Sequence, residues 1–251
     1  MFLLSTASLK GYGLHKIFKI AKEAGFDGVC LDLDPTNFDT ENAEYVKELS
    51  DSVGVPVVSV TAYERKMDDE TVDAVAKLAK TVGAKTINFY PPHRLDKDGT
   101  WFNQHIPKVA KDYPEILFSI INVEPKTFLF FIPEYKDATL SSVKKLTGKS
   151  SFHVSNVDPE SGVDLMKTFA MLGNTICNVL LSDRSGNRED LLPGRGDAPL
   201  ESLLIKLRDA GYKGDFTLKV SPKELSVGDD AAVQKKLAQG KAYFAKHYPA
   251  K

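Results

Sequence analysis

The chain has 251 residues, 42% hydrophobic and 27% charged, with a formal net charge of −1 and two cysteines. That balance is ordinary for a globular protein and lacks the basic excess of a general nucleic-acid binder; Cys30 and Cys177, with no CxxC pair, suggest neither a disulfide framework nor a thiolate metal site. The opening Met1-Phe2-Leu3-Leu4 is too short and too poor in basic residues for a signal peptide, and no run of about 18 apolar residues could cross a bilayer, so a cytoplasmic, reduced protein without membrane contact is expected.

Taken in order, Phe2 to Thr6 reads as a first strand, and Gly11 and Gly13 mark a loop. Leu14, Ile17, Phe18, Ile20 and Ala21 recur at helical spacing until Gly25. Asp27 to Leu33 alternates, with Val29, Leu31 and Leu33 on one face and Cys30 and Asp32 on the other. A helix over Thr40 to Ser52 leads past Gly54 and Pro56 to a third strand, Val57 to Thr61. A helix over Asp69 to Val82 and Gly83 precede the fourth, Lys85 to Tyr90. The polar loop Pro91 to Thr100 carries His93 and Arg94, and a helix over Gln104 to Lys111 leads to strand five, Ile116 to Val123.

The apolar stretch Thr127 to Ile132 is read as a long, partly buried loop rather than a strand. A helix over Ala138 to Leu146 and a sixth strand, Ser151 to Ser155, come next. A helix from Glu160 to Leu172 and a seventh strand, Thr175 to Leu181, follow. The Gly/Pro-punctuated loop Leu192 to Asp197 opens a helix over Pro199 to Ala210, then the eighth strand, Phe216 to Val220, and a closing helix, Asp229 to Lys246. Eight strand-then-helix units without a linker predict one domain, a single α/β (β/α)8 TIM barrel spanning residues 1–251. The turn G-Y-G at 11–13 is no GxGxxG fingerprint, which argues against a doubly wound dinucleotide fold.

In such a barrel, chemistry gathers at the C-terminal ends of the strands. Alternation points Asp32, Ser59, Thr61, Asn88, Tyr90, His153, Ser155, Thr217 and Lys219 inward, a more polar interior than packing alone requires. The loops add Tyr63, Glu64, His93, Arg94, Asp158, Asp183, Arg184 and Arg195. Plain structural uses compete with these: Asp32 and Asp34 can cap the turn before Pro35, His153 can be a satisfied core histidine, and Asp197 can cap the helix after the P-G-R-G-D loop. Lys219 is harder to explain structurally, because an inward lysine needs an anion, a ligand or water.

Four segments carry a resemblance: A-K-E-A-G-F-D-G-V at 21–29, L-S-D-R-S-G at 181–186, L-L-P-G-R-G-D-A-P-L at 191–200 and A-G-Y-K-G-D-F-T-L-K-V at 210–220. In order and spacing they resemble the xylose-isomerase-like barrel superfamily of sugar-phosphate isomerases, epimerases and apurinic-site endonucleases. The resemblance implies a divalent metal held by Glu, Asp, His and Glu from strands five to eight. The matching positions here are Ile121, Ser155, Leu180 and Lys219, so the usual metal is expected to be lost. Cys30 stands at the second-strand glutamate, Ser155 and Asp158 at an Asp-x-x-His pair, and Thr61 and Tyr90 at histidines on strands three and four. A shifted alignment leaves Glu124 or Glu134 open as a strand-five ligand.

Two functions are consistent with this pattern. One is an isomerase or epimerase of a small sugar or keto-acid, with no cofactor and with Lys219 in place of the metal's charge. Asp158 or Asp183 would move the proton, and Tyr90, His93, Ser155, Arg184 and Arg195 would bind the substrate. A variant of this reading makes Lys219 a Schiff-base nucleophile, which requires a depressed pKa. The other is a non-catalytic barrel that binds a sugar-like or anionic metabolite or serves as an interaction module. A small molecule is the expected partner in either case, with homo-oligomerisation left open.

Overall fold

The computed structural model describes residues 1–97, 99–128, 131–157 and 164–249. Eight parallel strands close into a barrel: β1 (Phe2–Ser5), β2 (Gly28–Asp32), β3 (Val57–Thr61), β4 (Thr86–Phe89), β5 (Leu117–Ile121), β8 (Ser150–His153), β9 (Ile176–Leu181) and β12 (Asp215–Leu218). Two antiparallel hairpins stand outside it: β6 (Thr127–Phe128) with β7 (Ile132–Pro133), and β10 (Asp183–Ser185) with β11 (Arg188–Leu191). The helices are α1 (Leu14–Glu23), α2 (Ala43–Val53), α3 (Asp69–Val82), α4 (Ile106–Asp112), α5 (Leu140–Thr147), α6 (Leu165–Leu172), α7 (Leu200–Asp209), α8 (Pro222–Leu225) and α9 (Asp230–His247). No helix among the described residues is long and apolar enough to cross a membrane.

Local chemistry sets these elements. In α3, Val72, Val75, Ala76, Ala79 and Val82 form one buried stripe. The Asp68 side chain accepts the Thr71 N–H at 2.8 Å to cap its start. Gly83, at φ 79°, ends it in the left-handed conformation that a Cβ disfavours. Asn42, Thr139, Asp164 and Asp229 cap α2, α5, α6 and α9 in the same way. The outward strand residues, among them Val29, Leu31, Val60, Ile87, Phe89, Val179 and Leu218, pack under the helices as one hydrophobic core.

Register fixes what points into the barrel, because laterally paired residues share a face. Leu3 and Leu180 pair with Thr217, and Ile121 pairs with Ser151. Many of the polar inward residues bond one another: Cys30 Sγ lies 3.2 Å from Thr61 Oγ1, and Asn88 Nδ2 donates to Thr61 at 3.2 Å. Ser119 and Ser151 donate to Asn88 Oδ1 at 3.0 and 2.6 Å, and Thr217 donates to Asn178 at 3.1 Å. This hydrogen bonding makes a polar barrel interior tolerable.

Three sequence expectations change. The stretch from Thr127 to Ile132 contributes β6 and the first residue of β7, with Phe131 77% exposed rather than buried. After strand seven the chain forms the β10–β11 hairpin, which hydrophobic periodicity did not reveal. Asp197 does not cap α7, whose N-cap is Pro199; its carboxylate instead accepts the Ser185 hydroxyl at 2.5 Å. The expected start of the sixth helix at Glu160 lies outside the described residues; the observed helix begins at Leu165.

Candidate functional site

A cavity of about 740 Å³ opens at the C-terminal mouth of the barrel, on the side of strands β12, β1, β2, β3 and β4. Asp32 from β2, Tyr90 from the end of β4 and Lys219 from the end of β12 line it. The β1–α1 loop adds Lys10 to Gly13, and the loop after β3 adds Tyr63 to Lys66. Lys219 follows the last residue of β12 but keeps the ladder, its N–H donating to Leu181 O at 3.0 Å.

The Lys219 ammonium donates to Asp32 Oδ1 at 2.8 Å, and both side chains are nearly buried, at 12% and 11% exposure. Burial alone would lower the lysine pKa. The charge of Asp32, the Tyr90 phenol, the hydrogen bond to Asp32 and the charge of Asp190 outweigh it and hold the ammonium well above its ordinary value. Asp32 Oδ2 accepts from the Ser5 hydroxyl at 2.6 Å and the Ala7 N–H at 3.2 Å. Burial pushes the Tyr90 phenol up to about 12, against the lowering influence of Lys219. The Tyr90 hydroxyl makes no hydrogen bond among the described residues, so it is an open donor beside a fixed cation.

At the rim, Lys10 pairs with Asp34 at 2.6 Å. Asp34 also accepts the Thr36 hydroxyl and N–H at 2.6 and 2.9 Å, which is the capping use expected before Pro35. Burial would raise the Asp34 carboxyl, but Lys10 and Thr36 hold it down at about 2.

The structure thus brings Lys219 and Tyr90 together on one cavity and distributes the other sequence candidates around it. Asp183 is 1% exposed, and its carboxylate accepts the backbone N–H groups of Arg184, Gly194, Gly196 and Ala198 at 2.8 to 3.2 Å. It holds the P-G-R-G-D loop. Ser155, also buried, accepts the Asp190 N–H at 2.6 Å and donates to Asp183 O at 3.5 Å. Arg184 forks onto Glu124, each pairing 3.1 Å, and donates to Ser155 O at 3.0 Å. His93 receives the Leu95 N–H on Nδ1 at 3.1 Å, which leaves Nε2 to face Glu134 at 3.4 Å. Arg195 is about half exposed and lies 3.4 Å from Glu224. Asp158 lies outside the described residues.

The donor set can be tested against a divalent cation. Among the described residues no three His, Cys, Asp or Glu side chains converge as a ligand group. Glu124 is engaged by Arg184 and Lys126, whose hydrogen bonds overcome burial and lower its pKa. Glu134 is shared by Arg65 at 2.9 Å and His93. The described residues therefore do not fit the hard-cation centre that the resemblance implies.

Sequence reading did not single out Asp190. It sits on β11, accepts from His153 Nε2 at 2.9 Å and Ser182 at 3.2 Å, and is held below the ordinary carboxylate range by His153 and Lys219 despite burial. The turn residues Ser185-Gly186-Asn187-Arg188 were the available signal for its hairpin. A second cavity of about 560 Å³ lies between the β6–β7 hairpin and α5, lined by Val123, Pro125, Pro133, Tyr135, Leu140 and Val157 among others.

No family model matches the chain. An uncharacterised protein of Mycobacterium leprae is 25% identical over 247 residues, covering 87% of this chain and 88% of its own. One of Mycobacterium tuberculosis (strain H37Rv) is 24% identical with the same coverage. Among solved structures, the chain is similar to a D-allulose 3-epimerase from Methylomonas sp., with TM-score 0.74, 13% identity and 98% and 97% of the two chains covered. It is also similar to a D-psicose 3-epimerase from Clostridium cellulolyticum H10, with TM-score 0.73, 12% identity and 99% of each chain covered. A xylose isomerase domain protein from Salmonella typhimurium LT2 gives TM-score 0.73, 16% identity and 96% coverage of each. At these identities the likeness is one of fold, and the chain has the (β/α)8 barrel fold of the xylose-isomerase-like proteins.

Proposed function

We propose that this barrel is an isomerase or epimerase of a small polyhydroxy carbonyl compound, a sugar or keto-acid, that works without a metal. The observation that carries the reading is the nearly buried Lys219–Asp32 pair at the cavity of about 740 Å³, with the Tyr90 hydroxyl beside it. Isomerisation or epimerisation through an enediolate places negative charge on the substrate's carbonyl oxygen. A prearranged ammonium and a phenol O–H supply the electrostatic stabilisation that a metal would otherwise provide. The raised lysine pKa favours this role over the Schiff-base variant, which needs a neutral amine. Similarity to sugar epimerases in fold supports the substrate class.

The roles of several candidates shift within the proposal. Asp183 and Arg184 hold loops rather than substrate, because their polar groups are taken by backbone N–H groups and by Glu124. Lys10, Arg65 and Lys66 at the cavity rim take over the orienting role assigned from sequence to His93, Arg184 and Arg195.

The test is deuterium exchange from solvent into a panel of aldoses, ketoses and keto-acids, using protein dialysed against a chelator. Exchange should persist after dialysis and fall about 100-fold or more in Lys219→Met, the scale of losing one oxyanion donor. Loss of exchange on chelation, restored by a divalent cation, would sink the metal-free reading. A ligand that binds in the cavity with no exchange in the parent protein would favour the non-catalytic binder.

A further inference from the structure

Three carboxylates line the main cavity: Asp32, Asp34 and Glu64. Asp32 is neutralised by Lys219 at 2.8 Å and Asp34 by Lys10 at 2.6 Å. Glu64 has no ion-pair partner among the described residues; it accepts one hydrogen bond, from the Tyr135 hydroxyl. Glu64, Lys219 and Tyr90 line the same cavity, and the charge of Glu64 raises the pKa of both Tyr90 and Tyr135.

Tyr135 follows the β6–β7 hairpin, and its chain neighbours Glu134 and Lys136 are held to the loops after β3 and β4. Arg94 N–H donates to Glu134 O at 2.7 Å, Lys136 N–H donates to Pro92 O at 2.7 Å, and Arg65 pairs with Glu134 at 2.9 Å. Tyr135 also lines the second cavity, so its ring and the Glu64 carboxylate form part of the wall between the two.

We infer that Glu64 is the catalytic residue that moves the proton, and that Tyr135 is a positioning residue acting through it. The inference rests on the isomerase or epimerase reading above and names the base that reading lacks. Glu64 takes the proton from the carbon next to the carbonyl. The electron pair of that C–H bond becomes the C=C bond of an enediolate, and the carbonyl oxygen takes the negative charge toward Lys219 and Tyr90. The protonated Glu64 then returns the proton to the former carbonyl carbon, while the neighbouring hydroxyl passes its proton to the charged oxygen and becomes the new carbonyl; the carboxylate is regenerated and the net change is isomerisation. The oxygens of Asp32 and Asp34 are engaged by Lys219 and Lys10, so the carboxylate without an ion pair is the one placed to take the proton.

Glu64→Gln keeps an acceptor for Tyr135 and removes the base. Solvent exchange should fall about 10²- to 10⁴-fold, while ligand affinity by calorimetry stays within about threefold, a loss confined to transition-state stabilisation. Glu64→Ala should regain part of its exchange on adding formate, which a purely structural loss would not. Tyr135→Phe should lower kcat with KM little changed. If the parent protein exchanges and Glu64→Gln remains within about threefold of it, the Glu64 assignment falls and the isomerase reading stands. If the parent protein exchanges nothing that it binds, both fall.

Discussion

Consider separating the two charges of the Lys219–Asp32 pair. Breaking a buried pair by removing one partner costs about 3–5 kcal/mol, but the two ends are not equivalent here. Lys219→Met leaves Asp32 with the Ser5 hydroxyl and the Ala7 N–H, two charge-assisted bonds that keep it partly satisfied. Its cost should lie near or below the lower bound, about 2–3 kcal/mol. Asp32→Asn removes the carboxylate the ammonium is bonded to and strands a charge that is 12% exposed. That should cost about 4–5 kcal/mol, and a loss of about 4 kcal/mol lowers Tm by about 8–16 °C in a chain of this size.

The double variant carries neither charge, so its cost should fall short of the sum by a coupling energy of about 2–3 kcal/mol. Urea unfolding of the four proteins, compared at constant m, measures this. The Lys219 pKa is raised on folding, so its stabilisation is complete below the ordinary lysine value of about 10.4 and is lost only as pH rises through the higher folded value. The coupling should therefore be the same at pH about 6 and about 9. Additive costs, with coupling below about 0.5 kcal/mol, would refute the premise that the pair is desolvated and strongly bound, and with it the case for a prearranged cation.

Asp183→Ala should free four backbone N–H groups, and the loss should appear as faster amide hydrogen exchange at Gly194, Gly196 and Ala198 with exchange in the barrel strands little altered. Gly196→Ala should disturb the same loop, because a Cβ there would lie 2.3 Å from Arg184 O and 2.5 Å from Asp183 Oδ1; a melting curve matching the parent's would contradict this close approach. Burial pushes the Cys30 thiol up to about 12 and Cys177 up to about 11, so neither should react with a thiol reagent between pH 7 and about 9 until the protein unfolds. Stoichiometric labelling of the native protein would count against that burial.

The barrel was legible in the sequence because its signals are local. Apolar stripes at helical spacing, strands bounded by glycine, and inward polar residues at alternate positions each follow from a few neighbouring residues. The inward assignments of Asn88, Thr217 and Lys219 needed only the period of two. The site was less legible because its pairings are remote: Lys219 meets Asp32 across 187 residues, and Tyr135 meets Glu64 across 71. Composition also misled at Thr127 to Ile132, where apolar character suggested burial while a short hairpin leaves Phe131 exposed. Asp183 looked catalytic from its position at a strand end, yet the loop it organises takes all its hydrogen-bonding capacity.

These pairings show how the described residues depart from the metal site that the resemblance implies. The resemblance places metal ligands at the ends of strands five to eight. On strands five to seven of this chain, counted around the barrel, the polar groups near the ends are committed to one another. The Asn122 side chain donates to His153 O and accepts its N–H, Ser155 accepts from Asp190 N–H, and Arg184 forks onto Glu124. The eighth strand alone presents its charge to the open side, and that charge is positive. Strand β1 lies between β12 and β2, so Lys219 and Asp32 can meet over it, and the Ser5 hydroxyl joins them there. In the proposed function, catalysis therefore moves to the half of the mouth over β12, β1, β2, β3 and β4. Of the four ligand positions that the resemblance implies, Lys219 alone belongs to the proposed site, where it brings a cation. A single substitution at Lys219 could not recreate the metal centre, since Ile121, Ser155 and Leu180 would still supply no carboxylate or imidazole.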